Sequence, residues 1–262
     1  MIEFYKYVAA GNDFIIFNNW QGNLDLSREQ IIDLCDRRFG IGSDGVLILT
    51  PDQQADFRMH YYNADGSRGE MCGNGARSLV QFAISHGKAG KTGTFRADDG
   101  HHEYELKQGQ VAVQILVNDS LHPWDIPRPG CGFIDTGVPH LIIPVDDLAA
   151  EDIHRLGHAM DEHVSHPQGT NVNLVNRSDS RITVRTWERG VNVETLACGT
   201  GATAAAIYAS RIWGVDWPIK LGFKGGELEV DLRGNQYWLK GPAELVFHGQ
   251  IALPKRYSNL EK

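Results

Sequence analysis

Apolar and polar positions change their period along this chain several times, in the same order in each half. In the first half the Gly11-Asn12 turn precedes an apolar strand, "FIIF". The next stretch, "LSREQIIDLCDRRFG", predicts a helix. Ser27 with Gln30 three residues on is a capping box, Ile31, Leu34 and Cys35 form one apolar stripe, and Gly40 is placed to supply a left-handed stop. "ADFRMHYY" then alternates Phe57, Met59 and Tyr61 against polar neighbours, the period of a strand. A glycine turn opens a second helix, "GARSLVQFAISHG", and the half closes with short strands and Gly/Asp turns, "GTFRADDGHHEYELKQGQVAVQILV".

The same order recurs at an offset of 126, the separation of Cys72 and Cys198. Gly11-Asn12 lands on Gly137-Val138, which precedes "LIIPV". "AEDIHRLGHAM" sets Ile153, Leu156 and Met160 on one helix face, and "RITVRTW" alternates Ile182 and Val184. "GATAAAIYASRIWG" is Ala-rich and uncharged until Arg211, which predicts a helix buried on nearly all sides. Two copies of one strand–helix–strand–helix–strands unit follow, with residues 1–118 as the first and 119–249 as the second, divided in the Pro-rich "LHPWDIPRPGCG".

Composition narrows the class. A formal net charge of −8 without a basic run argues against nucleic-acid binding, and no apolar stretch approaches the roughly 20 residues of a membrane helix. The N-terminus lacks the basic and apolar regions of a secretory signal, and four cysteines in 262 residues are too few for a disulfide framework. A cytoplasmic chain with free thiols is expected.

The chemistry lies in the repeat. "EMCGNGAR" and "LACGTGAT" each set a cysteine in a glycine turn ahead of a helix. Such a turn points backbone N–H groups outward at the positive end of the helix dipole, which suits a carboxylate and favours a thiolate. Two thiols on opposite sides of one carbon can remove a proton from one face and return one to the other, without metal or organic cofactor. Competing readings are a small apolar filler in a tight turn, a disulfide and a zinc site; the last wants more Cys or His at short spacing.

"GNDF" (Gly11–Phe14), "YNADGSRGEMCGNGAR" (Tyr62–Arg77), "PQGTNVN" (Pro167–Asn173) and "WERGVNVETLACGTGA" (Trp187–Ala202) together resemble, in order, the signature segments of the diaminopimelate epimerase family. The resemblance implies an α+β fold of two pseudo-symmetric domains, each a β-sheet wrapped around a central helix, with the site in the cleft between them. It returns residues 250–262 to the first domain. It implies interconversion of L,L- and meso-diaminopimelate in lysine and peptidoglycan-precursor synthesis, with no cofactor and no metal, in a homodimer acting on a small amino acid. Position by position, Cys72 and Cys198 match the acid/base pair. Gly73, Asn74, Gly199 and Thr200 match the turns that hold the reacting carboxylate. Glu188 and Arg189 match the contacts to the α-ammonium and the distal carboxylate, and Asn12, Asn63 and Asn171 complete the polar lining. Read without the family, each of these asparagines is a turn residue that tolerates the left-handed conformation.

Two positions depart from the family. Val138 stands where an asparagine is common, which removes a distal hydrogen bond, and Gly45 stands where some members have glutamine. Val138 motivates an alternative, a racemase of another amino acid on the same scaffold; a non-catalytic amino-acid-binding protein is the rival from another class. His154, His158, His163 and His166 are expected on a solvated face, and His140, just past the Gly137 turn, at the edge of the cleft.

Overall fold

The computed structural model describes residues 1–69, 71–117, 121–123, 128–161, 169–178 and 181–253. Contacts divide the chain into two compact units, Met1–Val113 with the chain from Pro242 onward, and Gln114–Gly241. In the first half, β1 (Ile2–Ala9) and β2 (Asn12–Asn18) precede α1 (Arg28–Cys35). Then come β3 (Gly45–Thr50), β4 (Phe57–Asn63), β5 (Arg68–Gly69), α2 (Gly73–Ser85), β6 (Thr92–Arg96), β7 (His101–Lys107) and β8 (Gln110–Ile115). The second half runs β9 (His122–Pro123), β10 (Gly132–Asp135), β11 (Pro139–Pro144), α3 (Ile153–Asp161), β12 (Asn171–Ser178) and β13 (Arg181–Glu188). It ends with β14 (Val193–Thr195), α4 (Gly199–Trp213), β15 (Ile219–Phe223), β16 (Gly226–Arg233) and β17 (Gln236–Gly241). The last strand, β18 (Glu244–Ile251), pairs antiparallel with β1 from Val8–Glu244 to Ile2–Ile251. The returning segment therefore starts at Pro242 rather than at residue 250, because this whole ladder is needed to satisfy the backbone of β1. The first division falls at Val113/Gln114 rather than at 118/119.

The repeat extends to strand register. Phe14 pairs with Gly45 across the parallel β2–β3 ladder, and His140 and Asn171, each 126 positions on, are partners across the parallel β11–β12 ladder. Tyr104–Val113 and Val230–Leu239 repeat in the same way.

Local chemistry accounts for the elements. Ala10 (φ 52°) and Gly11 (φ 81°) give the two left-handed residues of a two-residue hairpin turn between β1 and β2. At α1, the Ser27 hydroxyl accepts from Gln30 N (3.3 Å) and Ser27 N donates to Gln30 Oε1 (2.9 Å), closing the capping box. Gly40 is not the left-handed stop. The helix ends at Cys35 with Asp36 extended, and Gly40 instead passes so close to α1 that a Cβ there would lie 2.0 Å from Asp33 O.

"FIIF" is apolar without a break because β2 is covered on both faces. Ile15 and Phe17 join Val46, Ile48 and the α1 stripe of Ile31, Leu34 and Cys35. Leu47, of opposite parity on β3, meets α2 at Gly75. In the second unit Leu141, Ile143, Val172, Leu174 and Trp187 pack with Ile153 of α3. The other faces of β11 and β12 turn to α4, which is buried from Gly201 through Ala209 and ends on the left-handed Gly214. Each unit is thus a sheet folded about one buried helix. Among the described residues, no helix is long and apolar enough to cross a membrane.

One ion cluster braces the first unit. Buried Lys6 lies 2.6 Å from Asp13, which also binds Arg37 at 2.8 Å; Arg37 in turn reaches Asp44 at 2.6 Å. Burial opposes the charge on Asp13, but Arg37 and Lys6 outweigh it and hold the carboxyl well below the usual carboxylate range. A depressed carboxylate stabilises the fold above its unfolded pKa of about 4, and that contribution is lost as pH falls below it. Asp13→Asn strands Lys6 and is expected to cost about 2–3 kcal/mol at pH 7, shrinking at pH 3, as urea unfolding at the two pH values will show.

Candidate active site

Cys72 and Cys198 are the N-cap residues of α2 and α4, both in extended backbone (φ −136° and −119°). Each sulfur accepts from the third backbone N–H of its helix, Gly75 N at 3.5 Å and Gly201 N at 3.4 Å. A cysteine thus fills the place Ser or Asp usually holds, and the helix dipole favours its charged form. The other two cysteines differ. Burial raises both Cys35 and Cys131, the latter to about 11, which leaves them as inert core thiols. All four cysteines are free, so no disulfide consumes the pair.

Around Cys72 the first unit gathers Asn12 and Asn74. The Cys72 thiol lies 3.8 Å from Asn12 Oδ1, Asn74 Nδ2 donates to the same oxygen at 3.5 Å, and Asn12 Nδ2 donates to Asp44 Oδ2 at 2.6 Å. Asn63 stands apart from this group. Its amide donates to Ser67 Oγ (3.0 Å) and its backbone closes the β4–β5 turn, the bonding of a turn residue.

In the second unit a buried relay stands behind Cys198. Thr186 Oγ1 donates to Asn173 Oδ1 (2.9 Å), so the Asn173 amide nitrogen faces Leu141 O (3.2 Å) and His140 Nδ1 (3.0 Å). Nδ1 therefore accepts, His140 Nε2–H donates to Thr200 Oγ1 (3.0 Å), and the Thr200 hydroxyl is left to donate to Cys198 Sγ (3.4 Å). Burial, reinforced by the charge of Arg189, pushes His140 down to about 3, so the ring is neutral at physiological pH. His140 is fully buried, not at an edge, because its parity on β11 turns it towards α4.

Asn171 donates to Pro139 O (3.2 Å) and accepts from Arg189 N (3.0 Å), which fixes the end of β13. There Glu188 Oε1 accepts from Thr195 Oγ1 (2.6 Å), and Arg189 Nη1 donates to Gly169 O (3.4 Å). Gly199 and Thr200 open α4 as Gly73 and Asn74 open α2.

The two departures have different local grounds. Val138 O accepts from Thr136 N (3.1 Å) after the left-handed Gly137 (φ 91°), so the turn itself survives without asparagine. Gly45 has no room for any side chain, since a Cβ would meet Tyr62 O at 2.6 Å and the Tyr61 ring at 2.8 Å. His154 and His158 are exposed, the latter with its ring 5.7 Å from Trp187; His163 and His166 lie outside the described residues. Among the described residues, no group of three His, Cys, Asp or Glu is placed to hold a metal. Sequence reasoning passes over Arg77, Asn173 and Thr186. For Arg77 a signal is present, because it is the one charge in "GNGARSLVQFAIS" and Thr203 stands in its place in the second copy.

The profile of a family described as diaminopimelate epimerase matches twice, at residues 4–119 and 132–246. Diaminopimelate epimerase of Chlorobaculum tepidum is 40% identical over 260 residues, covering 94% of this chain and 99% of that protein. Its counterpart in Flavobacterium psychrophilum is 38% identical, covering 95% and 100%. Among solved structures, a Bacillus anthracis phenazine biosynthesis protein of the PhzF family superposes with a TM-score of 0.74 at 14% identity, covering 96% of this chain and 99% of that one. A probable proline racemase from Agrobacterium radiobacter gives 0.71 at 16% identity, covering 97% and 94%, so these two share the fold. With its profile matched in both halves and its relatives aligned nearly end to end, the chain belongs to the diaminopimelate epimerase family.

Proposed function

We propose that this chain interconverts L,L- and meso-2,6-diaminopimelate through Cys72 and Cys198. One observation carries the reading: each half of the family match delivers one cysteine as the N-cap of a buried helix, with its sulfur on the third N–H. One sulfur, as thiolate, takes the α-proton and becomes a thiol; the other thiol gives its proton to the opposite face and becomes the thiolate. The hard step is the carbanion beside a carboxylate. The N–H groups of Gly73, Asn74, Gly199 and Thr200 stabilise the charge as it spreads onto the oxygens. Glu188 takes the α-ammonium and the Arg189 guanidinium the distal carboxylate, with Asn12, Asn63 and Asn171 as polar lining. No step calls for a metal or an organic cofactor. Four free cysteines support a cytoplasmic setting, and the family resemblance supports a homodimer, which equilibrium sedimentation checks.

Deuterated water tests the substrate. L,L-diaminopimelate should yield the meso form with deuterium at one α-carbon, while other L-amino acids stay unlabelled. Label entering another amino acid while diaminopimelate remains protiated would establish the alternative that Val138 raises.

A further inference from the structure

We propose that Arg77 is a positioning residue that holds Cys72 as the thiolate of the resting protein and leaves Cys198 as the thiol. The proposal deepens the two-thiol reading and rests on it. Arg77 is fully buried one turn into α2. Its Nη1 donates to Gly73 O (3.2 Å) and its Nη2 to Asn74 Oδ1 (2.8 Å), while buried Nε has no partner. Among the described residues no carboxylate pairs with it. A buried cation served only by neutral acceptors is costly, and it demands an anion. The group that caps the same turn is Cys72. Burial pushes Arg77 down to about 10, while charge on Cys72 pulls it back up, so the cation must favour the thiolate by the same energy.

The second thiol has no such neighbour. Thr203 occupies the equivalent place in α4, fully buried and donating to Gly199 O at 3.2 Å. The relay behind Cys198 ends in a neutral His140. The charged groups on the strand ending near it are Glu188 and Arg189, one of each sign.

Other groups near α2 do not cancel Arg77. The strands packed against it carry Glu3, Tyr5, Lys6 and Tyr7 on β1, Asp13 on β2, and Arg58, His60, Tyr61 and Tyr62 on β4. Lys6 and Arg37 offset Asp13 and Asp44, Arg58 is paired with Asp98, and Glu3 lies beside Tyr5. Burial raises Tyr5 and Tyr7 and lowers His60, which leaves all three uncharged near pH 7. The remaining uncompensated charge beside Cys72 is the guanidinium. Each turnover in which Cys72 is the base moves the negative charge to Cys198. Proton exchange with water then returns it to Cys72, the side that Arg77 favours.

Iodoacetamide alkylation of the full chain, followed by mass mapping of each cysteine between pH 5 and 10, tests this without turnover. Midpoint pH is compared, so unequal access to the two sulfurs drops out. In the wild-type chain the Cys72 midpoint should lie at least one unit below that of Cys198. Arg77→Met should raise the Cys72 midpoint by about 1–2 units and slow its reaction at pH 7 about tenfold or more, the scale of one charge at several ångströms. The Cys198 midpoint should stay in place, and Arg77→Lys should recover most of the shift. A lower midpoint at Cys198 in the wild-type chain overturns the proposal, as does a Cys72 midpoint indifferent to Arg77→Met. An Arg77→Lys chain that behaves like Arg77→Met shows a packing role instead and overturns it equally. Should Arg77→Met fail to fold, the wild-type comparison and Arg77→Lys decide. Failure of the two-thiol reading would show elsewhere, in the epimerisation rates of the cysteine variants.

Discussion

Cys72→Ala and Cys198→Ala are each expected to lower epimerisation at least about 10³-fold, the scale of losing a sole general acid or base. Alanine also removes an N-cap acceptor, Sγ to Gly75 N or to Gly201 N, at a cost of about 1 kcal/mol. Serine separates the two effects. Its hydroxyl caps a helix at least as well as a thiol, so Cys72→Ser and Cys198→Ser should keep wild-type stability in urea. Their hydroxyls do not ionise near neutral pH, so the rate loss should persist. Rates of meso formation from the L,L isomer, measured beside the urea curves, check both halves. Either alanine variant turning over near the wild-type rate would sink the two-base scheme. Binding of diaminopimelate should survive all four substitutions, since the helix ends and Arg189 remain. A chain that binds but never epimerises, even as wild type, would instead be the non-catalytic binding protein.

What is legible in the sequence is local or repeated. Ser27 and Gln30 sit within one helical turn of each other, so their reciprocal bonds need no tertiary information. The offset of 126 carries element order, and the structure extends it to the Phe14–Gly45 and His140–Asn171 partners. Long-range geometry decides what a sequence misleads about. Gly40 looks like a stop because glycine often is one, whereas here it is required by the carbonyl of Asp33 passing beneath it. His140 follows a glycine turn, but only the pairing of β11 with β12 fixes which way it points and sets Asn173 against its Nδ1. Arg77 lies inside the first cysteine motif, yet a lone arginine on a helix is ordinarily solvated; that this one is buried depends on strands far away in sequence.

Gly201→Ala is expected to be far more damaging than Gly75→Ala, although both glycines hold the same place in their turns. A Cβ on Gly201 would lie 2.5 Å from Asn173 Oδ1, 3.2 Å from Cys198 Cβ and 3.4 Å from its sulfur. Neither obstacle can yield cheaply. Asn173 is buried and tied to Thr186, His140 and Leu141, and each buried polar group left unpaired by its movement costs about 1–3 kcal/mol. If Asn173 holds, the first turn of α4 must shift and carry Cys198 with it, and a displacement of an ångström can cost about 10²-fold in rate. At Gly75 the nearest atoms are the Leu47 Cδ2 methyl at 3.2 Å and Cys72 Cβ at 3.5 Å. A leucine methyl can turn aside, and alanine gains up to about 1 kcal/mol of helix propensity over glycine. Gly75→Ala should therefore lose under about tenfold in rate with stability little changed, while Gly201→Ala loses about 10²-fold and about 2–4 kcal/mol. Rates and urea midpoints for the pair discriminate. Equal losses would mean that both thiol turns depend on glycine for the same reason, whereas unequal ones trace the difference to Asn173, which the second copy has and the first replaces with Leu47.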